Sequence, residues 1–211
     1  SILPKYLSNI DYIISHQNDS SLFRISDKST ISSFAFQYSP HLNSSLNRLY
    51  FTARKGAGLL DDENIFYVEK VKSSIWGTPQ MLKGNINSQN NEGSISLTSD
   101  SKFMVYTSCE LNFKKNSCDL FYAEMINGVW AQPRKMSQNI NSEYWDSQPN
   151  LSHDGNILFF VSNRPGGKGG RDIWYSIRDD SKNWSPAKNL SEKINSKYDE
   201  ASPFISGNML D

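Results

Sequence analysis

The sequence predicts an all-β fold assembled from stacked four-stranded units, and three observations carry that prediction. Turn-forming Asn, Ser, Gly and Pro interrupt the chain roughly every 8 to 12 residues. Between them lie short runs of β-branched and aromatic residues, as at 49–52 and 157–161. The third is an internal repeat. Trp76, Trp130 and Trp184 stand 54 residues apart, as do Asn87, Asn141 and Asn195, and the acidic series Glu92, Asp146 and Glu200. Each of those Asn follows an Ile and precedes a Ser. Several series in one period mean one supersecondary unit used repeatedly.

The unit 147–200 lays out most clearly. Residues 149–152 form a short innermost strand a, and Asp154-Gly155 makes the turn leaving it. Strand b follows at 157–162, a Gly-rich loop at 163–171, strand c at 172–176, and strand d from Trp184. The connection 189–200 crosses to the next unit. The unit 93–146 repeats this with strands at 94–97, 104–108, 119–124 and 129–130. The unit 38–92 does so at 40–42, 49–53, 65–68 and Trp76. Residues 201–211 restart strand a, and 1–37 carry a degenerate partial unit without its Trp.

Along strand b, Leu49/Phe51, Met104/Tyr106 and Leu158/Phe160 face one side, while Tyr50, Val105 and Phe159 face the other. Both faces are apolar, so a unit must be covered on both sides. Radial stacking achieves this, and the architecture predicted is a β-propeller of four-stranded blades. Either the C-terminal strand completes the N-terminal unit in a four-unit ring, or the chain is a fragment of a larger ring; the second reading is preferred. Residues 1–211 are read as one propeller domain.

Lys plus Arg equals Asp plus Glu at 22 each, so global charge points to neither a nucleic-acid nor a strongly acidic partner. No stretch approaches the ~20 apolar residues of a membrane-spanning helix. The chain starts at Ser1 without a signal-peptide core, and is read as a mature or excised piece.

The segments from Gln148 to Gly167 and from Gly169 to Ser176 resemble the WD40-like propeller repeats of TolB. They are closer still to the version in OmpA-family proteins of Bacteroidota, with Asp154-Gly155, the aromatic strand ending in Ser162, then Arg164-Pro165-Gly166-Gly167 and Asp172-Ile173-Trp174-Tyr175. The likeness is specific over 145–206, good over 85–144 and weak over 1–37. The middle unit departs from it, with Ser99-Asp100-Ser101 for the turn and 110–117 for the Gly-rich loop. Such relatives follow tetratricopeptide segments or precede peptidoglycan-binding OmpA-like domains, and some are periplasmic lipoproteins of the type IX secretion apparatus. The resemblance implies a periplasmic, outer-membrane-associated scaffold whose partners are envelope proteins, with peptidoglycan reached through domains outside this chain.

Catalysis is not expected. His16, His41 and His153 have no metal-ligand spacing, and no Gly-x-Ser-x-Gly or sialidase Asp box occurs. Asp154-Gly155 reads as a turn and not a calcium loop. The recurring Glu92, Asp146 and Glu200 read as hydrogen-bond acceptors between blades. The segment 164–171 lacks the Lys-Ser/Thr and following helix of a Walker loop, so no cofactor is expected. Its three cations leave open a surface site for a carboxylate or phosphate.

The b–c loops vary most between units and are the expected partner-binding elements, through Arg54, Lys55, Phe113, Lys114, Lys115, Arg164, Lys168 and Arg171. A glycan- or peptidoglycan-fragment module is the alternative, favoured if aromatics such as Phe113 and Trp145 line a groove on that face. A propeller glycosidase would need paired carboxylates at the channel mouth. By the repeat register Cys109 ends strand b and Cys118 precedes strand c, which places them opposite one another and predicts a disulfide. Two reduced thiols are the competing reading; a metal site lacks further ligands.

Overall fold

Period-2 alternation with both faces apolar produces three antiparallel blades in the computed structural model, which describes residues 34–56, 58, 61–72, 75–110 and 117–205. The first blade contains β1 (Phe36–Leu42), β2 (Arg48–Arg54), β3 (Asn64–Lys72), β4 (Ile75–Trp76) and β5 (Gln80–Met81). The second contains β6 (Asn91–Leu97), β7 (Phe103–Cys109), β8 (Cys118–Ile126), β9 (Val129–Trp130) and β10 (Arg134–Lys135). The third contains β11 (Asp146–Leu151), β12 (Ile157–Ser162), β13 (Asp172–Ile177) and β14 (Lys188–Asn189). The blades stack side by side as an incomplete ring, with β6 against β1, β2 and β3, and β11 against β6, β7 and β8. The partial unit expected at 1–37 lies outside the described residues except for 34–37, and residues 201–205 of the restarting strand are described.

The faces read from strand b are the faces observed. Tyr50 of the first blade packs with Met104 and Tyr106 of the second in one buried cluster. Val105 packs with Leu158 and Phe160 of the third in another. Phe51 and Phe66 form a third cluster on the other face of the first blade, with Phe34 and Leu49 against it. The three repeat tryptophans are not equivalent in burial. Trp130 is 6% exposed, while Trp76 and Trp184 are only half-buried. Gly84 accounts for part of this difference: its φ of +93° lays the crossover on Trp130, and a Cβ there would stand 2.7 Å from the Trp130 carbonyl oxygen.

Two elements differ from expectation. The outermost strand is broken into two-residue pieces around Pro79 and Pro133. In the third blade Trp184 makes a single bridge to Arg178 before Pro186. Proline offers no N–H to a ladder, so each interruption also blunts an open edge. The innermost strand begins earlier than predicted and contains a bulge, marked by positive φ at Ser39, Ser94 and Gln148. A hydroxyl on the preceding blade takes the turned-out N–H: Ser94 N donates to Thr52 Oγ1 at 3.1 Å, and Gln148 N to Thr107 Oγ1 at 3.2 Å. Residues 201–205 repeat the conformation, with positive φ at Ser202. There Val161 occupies the Thr position, and Ser202 N donates to Gln148 Oε1 at 2.6 Å.

The repeat asparagines fix the crossovers. Asn141 Oδ1 accepts from Leu120 N at 2.8 Å, while its Nδ2 donates to the Leu120 and Met136 carbonyls at 3.0 Å. Asn87 treats Ile65 and Leu82 in the same way, and Asn195 treats Ile173 and Leu190. Each amide replaces a strand partner beside strand c, where polar backbone would otherwise be buried unpaired.

Candidate functional site

Each b–c loop leaves the same edge of its blade, yet each is fixed differently. In the first blade Glu63 N donates to Asn91 Oδ1 at 2.8 Å, and Glu92 N returns a bond to the Glu63 carbonyl at 2.8 Å. Lys55 is exposed, and the half-buried Arg54 lays its guanidinium over Phe36, 4.5 Å from the ring centroid. In the second blade Cys109 and Cys118 pair directly across β7 and β8 and are disulfide-bonded, with Cα atoms 4.0 Å apart. Phe113, Lys114 and Lys115 lie outside the described residues.

The third loop carries one correction. Arg164 does not point outward as a partner-binding cation. Its side chain is 12% exposed and pairs at 2.5 Å with Asp146, whose carboxylate is wholly buried. Nε donates to Ser162 Oγ at 2.9 Å, Nη2 also reaches the Ile140 carbonyl, and the guanidinium lies over Phe160 and Trp174. A buried carboxylate needs such a partner, and Arg164 supplies it from the loop's first turn.

Nor is the Gly-rich loop an open anion cradle. Asp172, 1% exposed, accepts the loop's Lys168 N at 2.5 Å and Gly169 N at 3.3 Å, so an internal carboxylate occupies the nest. The glycines are needed for this approach: a Cβ on Gly167 would collide with Asp172, and one on Gly169 with the Tyr198 carbonyl. Lys168 and Arg171 remain exposed.

The acidic series clips each crossover to its own blade. Asp146 accepts from Ser142 N and Oγ, and Glu200 from Ser196 Oγ. Glu92 accepts from Ser88 N, Ser88 Oγ and Ser108 Oγ. It is 1% exposed with no cation paired to it among the described residues, and burial pushes its pKa above the usual value against those hydrogen bonds. Sequence reasoning missed the roles of Arg164, Asp172 and the Thr52 and Thr107 hydroxyls. An Asx residue opening strand c at Asn64, Asp119 and Asp172 was the available signal for Asp172.

The innermost strands line an open groove of about 610 Å³, with Tyr38, His41, Ile95, Gln148, Asn150 and Phe204 on its walls. Its described lining contains no Asp or Glu. Burial lowers the His41 pKa to about 4. Asp154 Oδ1 is taken by Ser152 Oγ and Asn156 N within its own turn. Among the described residues no group of three His, Cys, Asp or Glu side chains could hold a metal, and no helix is long and apolar enough to cross a membrane.

Fold and loop edge together define a β-propeller-type blade array. No protein-family model matches the chain, and no curated protein sequence matches it. Among solved structures it is similar to an α-L-arabinofuranosidase from Lactobacillus brevis, at 12% identity and TM-score 0.51, covering 77% of this chain and 57% of that one. TolB from Acinetobacter baumannii is similar at 14% identity and TM-score 0.48, covering 76% and 33%. A Trypanosoma rangeli sialidase is similar at 11% identity and TM-score 0.44, covering 72% and 30%. The chain thus spans between 30% and 57% of the length of these proteins, and at such identities the likeness is one of fold.

Proposed function

We propose that the chain is a non-catalytic protein-binding scaffold of the bacterial cell envelope, periplasmic and associated with the outer membrane. It would belong to a secretion or peptidoglycan-anchored assembly, with peptidoglycan engaged by domains outside the chain. The carrying observation is that the blades repeat their cores and crossovers while the three b–c loops differ, each held by its own device. A rigid frame presenting dissimilar loops is a recognition surface. The Cys109–Cys118 bond supports an oxidising compartment.

Photo-cross-linkers at Lys55 and Lys168, on the loop edge, and at Asn156, on the opposite turn, test this in the native envelope. Discrete cross-linked species from the first two positions alone are expected. Equal capture from Asn156, or none from the loops, would overturn the loop-face reading.

A further inference from the structure

Within that platform, Arg171 combines exposure with a ring contact, unlike Arg164, Arg48 and the half-buried Arg54. Arg164 is buried and paired, Arg48 pairs with Glu69, and Arg178 is tied through Nε to the Lys182 carbonyl. Arg171 is exposed and lies over the Trp145 ring, 4.5 Å from its centroid, with no salt bridge to its guanidinium among the described residues. Its backbone is pinned on both sides: its N donates to Asp199 Oδ1 at 2.8 Å, and its carbonyl accepts from Glu200 N at 2.8 Å. Trp145 is anchored in turn, its N donating to Asn163 Oδ1 at 2.9 Å.

A guanidinium stacked on an indole keeps its in-plane N–H edge available, and that edge matches a carboxylate bidentately. Because stacking and backbone pinning already restrict the side chain, less freedom is lost when a ligand arrives. Lys168 adds a second exposed cation on the same loop. Beyond it Tyr198 is 68% exposed, with the Lys197 ammonium 5.2 Å from its ring centroid.

We infer that Arg171, on its Trp145 platform and with Lys168 beside it, is the carboxylate anchor for an acidic polypeptide segment of the partner. This rests on the protein-binding reading of the loop face. The 211-residue chain is titrated into a fluorescein-labelled hexapeptide of alternating Glu and Gly, followed by fluorescence anisotropy, with the Gln and Gly peptide as control. Arg171→Gln should weaken binding of the acidic peptide about tenfold or more, as the loss of a hydrogen bond to a charged group does. Arg171→Lys, which keeps charge but loses the planar fork, should fall between. Both variants should melt close to the wild type. Equal affinity for the two peptides, an unaffected Arg171→Gln variant, or no binding of the acidic peptide by the wild type would overturn the anchor. The protein-binding reading is judged separately, by cross-links from Lys55 and Lys168.

Discussion

The second and third blades share a core and a register, yet stabilise the same loop by opposite means. In the third blade the loop is noncovalent and polar: Arg164 reaches inward to Asp146, and Asp172 gathers Lys168 N and Gly169 N. In the second, Glu110 occupies the Arg164 position, and Asp119 occupies that of Asp172. Asp119 turns away to pair with Lys135 at 2.7 Å. A covalent bond between Cys109 and Cys118 closes the loop instead. These two blades therefore close the b–c base by a buried ion pair in one and a disulfide in the other. Arg164 also serves the crossover through Asp146, whereas Glu92 in the second blade holds its crossover with no cation among the described residues.

The largest expected effect breaks the noncovalent side. Arg164→Ala leaves the buried Asp146 carboxylate without its cation and should destabilise by about 3–5 kcal/mol. Glu110→Ala, at the corresponding position of the second blade, should change stability by less than about 0.5 kcal/mol, as exposed substitutions do. Urea midpoints measure both, and similar shifts would mean that the two loop bases are not the alternatives described. Cys109→Ser with Cys118→Ser comes next. Closing so short a loop is worth about 2–3 kcal/mol at best. A double variant as stable as the parent would show that the second blade holds its loop without the covalent bond.

The same pair of blades shows what was legible in the sequence. Period and alternation revealed the blades and which strand-b residues share a face, because burial on both sides leaves both positions apolar. The cysteine pairing was legible because register alone places residues opposite one another. Arg164 was not, since an arginine opening a Gly-rich loop reads as solvated charge. What distinguishes it is Asp146, part of a series whose member Glu92 has Glu110 in the corresponding place. The bulges were hidden too: positive φ falls on Ser39, Ser94 and Gln148, residue types that carry no signature for it. The broken outer strand was signalled by Pro79, Pro133 and Pro186, which outweigh the β propensity of the adjoining Trp.

The smallest expected effect is a pH dependence that separates Glu92 from Asp146. Burial is the main cause of the raised Glu92 pKa, with the Asp62 charge adding to it, and the Ser88 and Ser108 hydrogen bonds oppose it. The folded protein therefore holds this proton more tightly than the unfolded chain, whose value is near 4.5. Its stabilising contribution is complete below that value and is lost as pH rises through the folded pKa. His41 acts in the other direction: with a folded value of about 4 against 6.5, it costs stability as pH falls across that interval. A wild-type profile mixes the two, so the informative quantity is the difference between wild type and Glu92→Gln. Glutamine imitates the protonated acid and should be favoured at neutral pH, with the advantage shrinking as pH approaches 4.5. Asp146→Asn should show the opposite sign at neutral pH, because it strands the buried Arg164 guanidinium. Urea unfolding at several pH values between 4 and 7.5 reads both differences. A Glu92→Gln difference that stays flat with pH, or an Asp146→Asn variant that gains stability at neutral pH, would remove the distinction between the two crossover clips.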